Sequence, residues 1–381
     1  MPLTLSSRFK ILHVAGARPN FMKVAPVMAA AAEWRSGTVR FEQVLVHTGQ
    51  HYDATMSDVF FRDLVLAAPD YSLGVGSGSH AQQTADVLRR LEPVLIDTAP
   101  DLVVTVGDVN STLAAALCAA KLCIPVAHVE AGLRSGDRTM PEEINRLLTD
   151  QLSTLLFTTS RDADRNLAGE GIDPSRVHLV GNPMIDTVDR LRARTDGASA
   201  ARRLGLASSR EYALVTLHRP SNVDDPARLS ELVDLLLRLA RRLPVLFPVH
   251  ARTRKRLADT ERLARLAAEP RIVLTEPLGY LDFLGLMSGA RLVLTDSGGV
   301  QEETTVLGVP CLTLRTTTER PVTITEGTNR LVDPSDPAAV VAAADETLAR
   351  PMPTARRPYL WDGHAGRRIV AVIAGWDRQA L

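Results

Sequence analysis

The chain has 381 residues, of which 45% are hydrophobic and 23% charged, a composition typical of a globular protein large enough for two domains. Its 44 basic and 44 acidic residues balance, which argues against a protein that coats nucleic acid. The three cysteines are too few for a disulfide framework or a zinc site, the first apolar run is too short for a signal peptide, and no run could span a membrane. We therefore expect a cytoplasmic protein with no nucleic-acid or membrane partner.

The first half alternates short apolar segments with amphipathic ones. Strands are predicted at 11–16, 41–49, 102–108, 124–130, 155–160 and 177–182, and helices at 21–34, 81–98 and 111–122. This alternation predicts a parallel sheet with helices on both faces.

The same pattern restarts after a polar segment at 186–204. Strands are predicted at 212–218, 245–250, 271–276, 291–297 and 310–315, and helices at 227–243, 280–290 and 299–308. The fold class predicted is therefore α/β, with two Rossmann-like doubly wound domains. Ligands bind beyond the carboxyl ends of such strands, so we expect a site in the cleft between the two sheets.

Charged groups follow the first strands of this pattern. Arg18 lies in the turn after the first strand and Lys23 on the next helix, where free backbone N–H groups already attract anions. Asp108 follows the strand at 102–108. The alternatives are a solvated basic turn for the two cations and a helix cap for Asp108.

The segment 128–146 leaves an apolar strand and at once gathers charges of both signs: Glu130, Arg134, Asp137, Arg138, Glu142, Glu143 and Arg146. A solvated loop is one interpretation. One wall of an active site, with carboxylates for proton transfer, is the other. Asp137, Arg138 and Glu143 are expected only to form ion pairs or face solvent.

The second half adds groups suited to a phosphorylated ligand. Ser297, Gly298 and Gly299 precede a helix, where glycines let backbone amides approach a phosphate, although a simple helix cap is the alternative. Glu303 can accept hydrogen bonds from sugar hydroxyls, and Arg320 is a second anion contact.

Two further residues are ambiguous by themselves. His218 ends a strand, where a histidine is more often structural, and Phe283 is either core or a surface for a nucleobase. Together, the strand ends of both halves indicate a diphosphate ligand with Asp108, Glu130 and Glu142 near its reactive end. The sequence contains no dinucleotide fingerprint, no Walker loop and no metal-ligand cluster, so we expect no cofactor and no metal.

Nine ordered motifs resemble the non-hydrolysing UDP-N-acetylglucosamine 2-epimerases. They are GARPNFMKVAP, TGQHYD, GDVNST, HVEAGLRSGD with MPEEINR, GNPMID, TLHRPSN, PVHARTRKRL, LTDSGGVQEE and TTERP, and they cover nearly the whole chain. The resemblance implies a glycosyltransferase-B type fold and a homodimer that serves polysaccharide biosynthesis. It also implies domains at 1–188 and 189–363, with a C-terminal helix at 364–381 that packs back on the first domain.

The resemblance implies epimerisation at C2 of UDP-N-acetylglucosamine, giving UDP-N-acetylmannosamine, by elimination and re-addition of UDP through 2-acetamidoglucal. It makes Asp108, Glu130, Glu142 and His218 catalytic. The substrate-binding residues would be Arg18, Lys23, Arg146, Leu278, Phe283, Ser297, Gly298, Gly299, Glu303 and Arg320. Among these, Glu303 would hold the ribose, and Phe283 with the main chain near Leu278 would pack on uracil.

Three departures from the family pattern concern its details. Asn20 stands where the best-known members have Glu, and Ser221 where many have Glu. Gln50 and His51 are followed by Tyr52 and Asp53 rather than by the Arg of members that bind a second UDP-sugar as an activator, which leaves activation open.

Alternatives for the function stay open at this point. They are the same chemistry on a UDP-diacetamido-uronate, a hydrolysing 2-epimerase that releases free N-acetylmannosamine, a glycosyltransferase with a UDP-sugar donor, and a non-catalytic nucleotide-sugar binding module. Three clustered acids in the first domain argue against a glycosyltransferase, because that domain would normally bind an acceptor. A binding module would not need Asp108, Glu130 and Glu142 all intact.

Overall fold

The computed structural model describes residues 7–35, 39–49, 63–64, 66–206 and 211–377. The chain divides into two compact units. The first unit comprises Met1–Thr187 together with Tyr359–Leu381, and the second comprises Val188–Pro358. Each unit is a parallel sheet with helices packed against it.

The first unit has a seven-stranded sheet in the order β3-β2-β1-β4-β5-β6-β7. Its strands are β1 Ser7–Ala15, β2 Val39–His47, β3 Tyr71–Ser72, β4 Leu102–Val106, β5 Val126–Ala131, β6 Leu155–Thr158 and β7 Val177–Leu179. Its helices are α1 Arg18–Glu33, α2 His80–Thr98, α3 Asn110–Lys121, α4 Pro141–Leu152, α5 Arg161–Gly169 and α6 Pro183–Arg192, which runs on into the second unit; a 3-10 turn spans Pro174–Arg176.

The second unit has a six-stranded sheet in the order β10-β9-β8-β11-β12-β13. Its strands are β8 Ala213–Thr216, β9 Val245–Pro248, β10 Ile272–Thr275, β11 Leu292–Thr295, β12 Cys311–Leu314 and β13 Asn329–Val332. Its helices are α7 Gly197–Arg203, α8 Pro220–Val223, α9 Pro226–Ala240, α10 Ala251–Ala258, α11 Arg262–Ala267, α12 Tyr280–Gly289, α13 Gly298–Leu307, α14 Val322–Thr325 and α15 Pro337–Ala349.

Helix α2 shows how local sequence sets these elements. Ser79 caps it by accepting a hydrogen bond from the backbone N–H of Gln82, and the Gln82 side chain completes a capping box. Val87, Leu91 and Leu95 recur every fourth residue and are buried, which gives the helix one apolar face toward the sheet. The sequence pattern and the packing therefore agree.

The last described helix, α16 Ala365–Gly375, belongs to the first unit and packs against α1. A Cβ on Gly366 would lie 2.5 Å from the carbonyl oxygen of Pro26, so only glycine permits this approach. Asp186 caps α16 by accepting from the backbone N–H groups of Ala365 at 3.1 Å and Gly366 at 2.8 Å. Trp361, just before the helix, is 1% exposed and donates its indole N–H to the carbonyl of Thr159 at 2.9 Å.

The strand order locates two positions of interest. In the first unit the strands are added outward from β1 to β3, and the chain then returns to place β4 on the other side of β1. The second unit repeats this reversal of strand order between β8 and β11. The carboxyl ends of strands at such a reversal border a crevice that open α/β sheets use for ligands. Among the helices of the described residues, none is both long enough and apolar enough to cross a membrane.

Candidate active site

The turn after β1 is tied to the end of β4 through Asn20. Its side-chain oxygen accepts from the backbone N–H of Ala17 at 2.9 Å and of Gly16 at 3.2 Å, and its amide donates to the carbonyl of Val106 at 2.9 Å. Asn20 is 3% exposed. A glutamate here has no hydrogen to donate to Val106, so asparagine suits this turn. Arg18 is the first residue of α1, and its side chain lies outside the described part of the structure.

One turn further along α1, Lys23 forms an ion pair with Glu130 at the end of β5. Both side chains are buried, at 5% and 3% exposure. Glu130 has a left-handed backbone (φ 75°), and the pairing of β5 with β6 is irregular between Val129 and Ala131. A non-glycine residue in this conformation is strained, and the irregular pairing re-aims its side chain, as β-bulges do next to active sites.

Gly107, at the end of β4, brings three of these groups together. A Cβ added to it would lie 3.1 Å from the amide nitrogen of Asn20, 3.4 Å from Oε2 of Glu130 and 3.7 Å from Nζ of Lys23. Its own backbone is left-handed (φ 70°), which glycine adopts without strain. The turn of Gly107 and Asp108 therefore borders the Lys23–Glu130 pair.

Asp108 is held by α4. Arg146 donates from Nε at 2.9 Å and Nη2 at 2.6 Å to one oxygen of Asp108, and from Nη1 at 2.6 Å to Glu143. Asn145 donates to the Asp108 carbonyl at 2.8 Å. Arg146 is 2% exposed, whereas the Asp108 side chain is 25% exposed. Asp108 thus presents a carboxylate to solvent while a buried guanidinium fixes it.

Glu142 and Glu143 both lie in the first turn of α4, but their environments differ. Glu143 is buried and accepts from the backbone N–H groups of Ser135 at 3.0 Å and Gly136 at 2.9 Å. Burial alone would raise the pKa of Glu143, but these bonds and Arg146 outweigh it and lower the pKa. Glu142 is half-buried and makes no hydrogen bond or ion pair to the other described residues. Its carboxylate is therefore available to a ligand.

The other charges of this loop are either bonded within the first unit or exposed. Arg134 pairs with Asp150 and Glu170 at 2.7 Å each. Asp137 accepts from the backbone N–H of Thr139 at 2.9 Å, and Arg138 is exposed. Five of the seven charged side chains in the segment 128–146 are therefore held by partners among the described residues, whereas Arg138 and Glu142 are not.

The sequence interpretation missed a buried pair behind this wall. His128 in β5 and Asp150 in α4 are both 0% exposed, with 2.6 Å between Nδ1 and Oδ1. Burial would raise the pKa of Asp150, but His128 and Arg134 outweigh it and lower the pKa. The signal that could have revealed the pair is a histidine within an otherwise apolar buried strand.

In the second unit, Asp296 organises the ends of β8 and β11. It is 0% exposed and accepts from the backbone N–H groups of His218 at 3.0 Å and Arg219 at 2.9 Å, and from the Asn222 amide at 3.1 Å. Its other oxygen lies 3.0 Å from Nδ1 of His218, whose side chain is 39% exposed. This contact leaves Nε2 of His218 as the nitrogen that faces away from Asp296. Ser221 is exposed in α8.

The N-terminus of α13 follows β11 directly, with Ser297 as its N-cap residue and Gly298 and Gly299 as its first turn. A Cβ on Gly298 would lie 2.5 Å from Nη1 of Arg320, so the guanidinium is seated against this turn. Arg320 is 6% exposed and pairs with Glu302 at 2.7 Å and with Glu319. Glu319 also pairs with Arg315 at 2.8 Å, so this buried cluster holds two arginines and two glutamates whose charges balance. The N-terminus of α13, which favours anions, lies beside that cluster.

Glu303 lies in the same helix and is 5% exposed. It accepts a hydrogen bond from the Tyr280 hydroxyl at 2.8 Å. Burial raises the pKa of Glu303 to about 7, against the opposing effect of Tyr280. Leu278 and Phe283 are half-buried, before and within α12.

Within the described ranges, no three His, Cys, Asp or Glu side chains lie where they could hold a metal ion. Gln50, His51, Tyr52 and Asp53 lie outside the described residues. The predicted site residues whose side chains are described fall into two groups, one in each unit. The first unit holds Lys23, Asp108, Glu130, Glu142 and Arg146, and the second holds His218, Leu278, Phe283, Ser297, Gly298, Gly299, Glu303 and Arg320.

Known proteins match this chain over most of its length. Residues 35–374 match the family described as UDP-N-acetylglucosamine 2-epimerase. The UDP-N-acetylglucosamine 2-epimerase of Methanococcus maripaludis is 40% identical over 371 residues, covering 96% of this chain and 99% of that protein. The UDP-2,3-diacetamido-2,3-dideoxy-D-glucuronate 2-epimerase of Pseudomonas aeruginosa is also 40% identical, over 96% of this chain and 99% of its own.

A solved structure of a related protein has a similar fold. The crystal structure of the Methanocaldococcus jannaschii UDP-GlcNAc 2-epimerase in complex with UDP-GlcNAc and UDP matches with a TM-score of 0.87 and 39% identity, over 96% of this chain and 99% of that one. The predicted fold class, two Rossmann-like parallel-sheet domains of glycosyltransferase-B type, is confirmed. The chain belongs to the UDP-N-acetylglucosamine 2-epimerase family.

Proposed function

We propose that this protein is an isomerase that interconverts UDP-N-acetylglucosamine and UDP-N-acetylmannosamine without hydrolysis. The observation that carries the proposal is the set of carboxylates at the strand reversal of the first unit: Asp108 and Glu130, each paired with a buried cation, and the half-buried Glu142. Acids at this edge of a sheet suit proton transfer at a bound sugar.

The chemistry follows from the substrate. The hydrogen on C2 of the hexosamine is not adjacent to a carbonyl carbon, so direct abstraction is very unfavourable. Elimination avoids this difficulty: one carboxylate takes the C2 proton, the C1–O bond to UDP breaks with its electrons, and a C1=C2 double bond forms 2-acetamidoglucal. Return of a proton to the other face of C2, with re-addition of UDP oxygen to C1, completes the inversion. Carboxylates near both faces of C2 are needed, and Asp108, Glu130 and Glu142 are the candidates.

The departing diphosphate needs stabilisation in the transition state. In this proposal the C-terminal domain, residues 189–363, supplies it at the N-terminus of α13, Ser297–Gly299, with His218 and Arg320 nearby. Glu303 holds the ribose, and Phe283 with the main chain near Leu278 packs on uracil. Residues 1–188 with the helix in 364–381 form the catalytic domain, in which Arg18, Lys23 and Arg146 contact the substrate or fix the acids.

A second substrate has a specific observation in its favour. The Pseudomonas aeruginosa relative named for a UDP-diacetamido-glucuronate is as similar to this chain, at 40%, as a relative named for UDP-N-acetylglucosamine. The same carboxylates serve either sugar, because both carry an acetamido group at C2.

One experiment tests both substrates. The protein is incubated in deuterium oxide with each UDP-sugar separately, and products are followed by NMR. We expect deuterium at C2 of the epimerised product, because the C2 proton passes through a carboxylate that exchanges with water. Protium retained at C2 in active enzyme would reject this mechanism. Free N-acetylmannosamine with UDP would identify a hydrolysing enzyme, and transfer to an acceptor a glycosyltransferase.

We also infer that the protein is a cytoplasmic homodimer. Support comes from the resemblance to the family and from cysteines Cys118, Cys123 and Cys311, which are free in the structure, as is usual in reducing compartments. Light scattering after size-exclusion chromatography would give the mass in solution, and a monomeric mass at micromolar concentration would reject the dimer.

A further inference from the structure

The His128–Asp150 pair lies behind the carboxylates, without access to solvent. Nδ1 of His128 is 2.6 Å from Oδ1 of Asp150, and Nε2 is 2.8 Å from the carbonyl oxygen of Gly107. Both acceptors lack a hydrogen, so the ring satisfies both contacts only when both its nitrogens carry protons. The geometry therefore requires an imidazolium paired with a carboxylate inside the first unit.

Each end of the pair is attached to a turn that carries a proposed catalytic acid. His128 donates a hydrogen bond from Nε2 to the carbonyl of Gly107, and the next residue is Asp108. The second oxygen of Asp150 accepts from the backbone N–H of Gly132 at 3.1 Å, two residues after Glu130.

The remaining partner of Asp150 is Arg134, at 2.7 Å, which is itself paired with Glu170. The local charges are thus two cations and two carboxylates, which balance. Gly132 packs closely against α5, since a Cβ there would lie 2.6 Å from the carbonyl oxygen of Ala163. The pair therefore joins the ends of β4 and β5 through a buried, charge-balanced bridge.

We propose that His128 and Asp150 are positioning residues of the epimerase reaction, which set the separation and direction of Asp108 and Glu130 without touching the sugar. This inference rests on the proposed function, because it takes Asp108 and Glu130 as proton-transfer groups. Displacement of reacting groups by about 1 Å can cost 10²-fold in rate. A bridge that holds both turns therefore matters to turnover and much less to nucleotide binding.

The alternative is that the pair only stabilises the fold. A purely structural role would lower the melting temperature of a variant but leave the turnover of its folded fraction unchanged. A positioning role lowers kcat in folded protein, with KM and UDP affinity nearly unchanged, because the pair lies outside the unit proposed to bind UDP.

The test uses the full chain with three variants. Asp150→Asn removes the charge with little change in shape, and His128→Gln removes the imidazolium. Asp101→Asn is the matched control: Asp101 lies at the opposite end of β4, where it accepts from the backbone N–H of Lys10 at 2.7 Å. We expect kcat to fall about 100-fold in the first two variants and to change less than about twofold in the control. UDP affinity by calorimetry should stay within about threefold, a difference of less than 1 kcal/mol.

A second measurement does not depend on the variants folding. Long-range ¹H–¹⁵N spectra of wild-type protein labelled at histidine should show one solvent-protected ring protonated at both nitrogens at pH 7.5. His13 is also 0% exposed, but burial lowers its pKa to about 4, so its ring accounts for one neutral protected signal. The absence of any protected ring that carries both protons, or variants folded with near wild-type kcat, would overturn the proposal. A wild type that turns over no UDP-sugar would instead refute the proposed function, while the spectra would still decide the charge state of the pair.

Discussion

Glu142 and Glu143 are adjacent on α4, but only Glu143 is hydrogen-bonded to the surrounding described residues. We therefore expect their substitutions to have different effects. Glu142→Gln should lower kcat by about 10²-fold or more, the range for loss of a general acid or base, with no change in the melting temperature. Glu143→Gln should lower the free energy of unfolding by about 1–3 kcal/mol, because the new amide would leave a buried donor of Ser135, Gly136 or Arg146 poorly paired.

Turnover and urea denaturation of the two variants, measured side by side, check this contrast. Since Glu143 also orients Arg146, its variant is expected to lose some activity as well. The stability difference is thus the decisive quantity. A Glu142→Gln protein that unfolds as easily as Glu143→Gln and keeps full kcat would contradict the assignment.

The ionisation of Glu303 is expected to make the affinity for UDP depend on pH. Its pKa is raised to about 7, so the free protein holds a proton there below neutral pH. Ribose hydroxyls donate hydrogen bonds and favour the ionised carboxylate, so binding of the nucleotide should release this proton. UDP affinity is therefore expected to rise as pH increases from 6 and to level off above about pH 8, with a slope of up to about tenfold per pH unit.

Calorimetry at several pH values, with Glu303→Gln as the comparison, isolates this effect. Titration of the UDP phosphate is common to both proteins and cancels in the difference. Identical pH profiles for wild type and variant would show that Glu303 does not hold the ribose in its ionised form.

At the scale of elements, the N-terminus of α13 is shaped by one glycine. The added methyl group of Gly298→Ala would meet Arg320 at 2.5 Å and Glu319 at 2.7 Å, so the buried Arg320–Glu319 pair must shift. The methyl group would also obstruct close approach of a phosphate to the first N–H groups of the helix. We expect UDP affinity to fall about tenfold, or about 1.4 kcal/mol.

Gly169→Ala at the end of α5 provides the control, because a Cβ there meets nothing within 4 Å. Calorimetric affinities for UDP would be compared after far-UV spectra show that both variants fold. Equal affinities for Gly298→Ala and wild type would place the diphosphate elsewhere.

The elements also show what sequence can and cannot predict. Alternating apolar segments were sufficient to predict two parallel sheets and the polar residues at their strand ends, because period and burial are local properties. The partners of those residues were not predictable in this way. Lys23 meets Glu130 and Arg146 meets Asp108 only because of how the chain folds back on itself around β1, β4 and β5.

Two residues illustrate this limit. His128 escaped notice since one polar residue in an apolar strand has several explanations, and its partner Asp150 lies 22 residues later. Asn20, noted only as a departure from the family, bonds both the turn after β1 and the carbonyl of Val106. The roles proposed for the site residues stay predictions, whereas the fold class and the family are confirmed.

At the scale of the whole molecule, the two units differ in how the chain builds them. The second unit is one continuous segment, 188–358, while the first needs both 1–187 and 359–377. A fragment of residues 188–358 should therefore fold alone. Residues 1–187 should aggregate, because the surfaces that Trp361, Ile369, Val370 and Ile373 cover would be exposed.

Expression of each fragment, followed by size-exclusion chromatography, checks this expectation. Co-expression of residues 1–187 with a peptide of residues 359–377 should recover soluble first unit. Fully soluble, monomeric 1–187 without the peptide would show that α16 is dispensable to that unit.

The segment that crosses back to α1 has a consequence for the order of events on the ribosome. Synthesis at about 5–20 residues per second separates completion of residue 187 from that of residue 359 by roughly 10–35 s. Throughout this interval the nascent first unit lacks the tryptophan and the helix that close its surface, while the second unit is complete once residue 358 is made. The second unit can therefore finish folding before the first. The first unit exposes apolar surface for longer, and it is the part of the nascent chain to which we expect chaperones to bind.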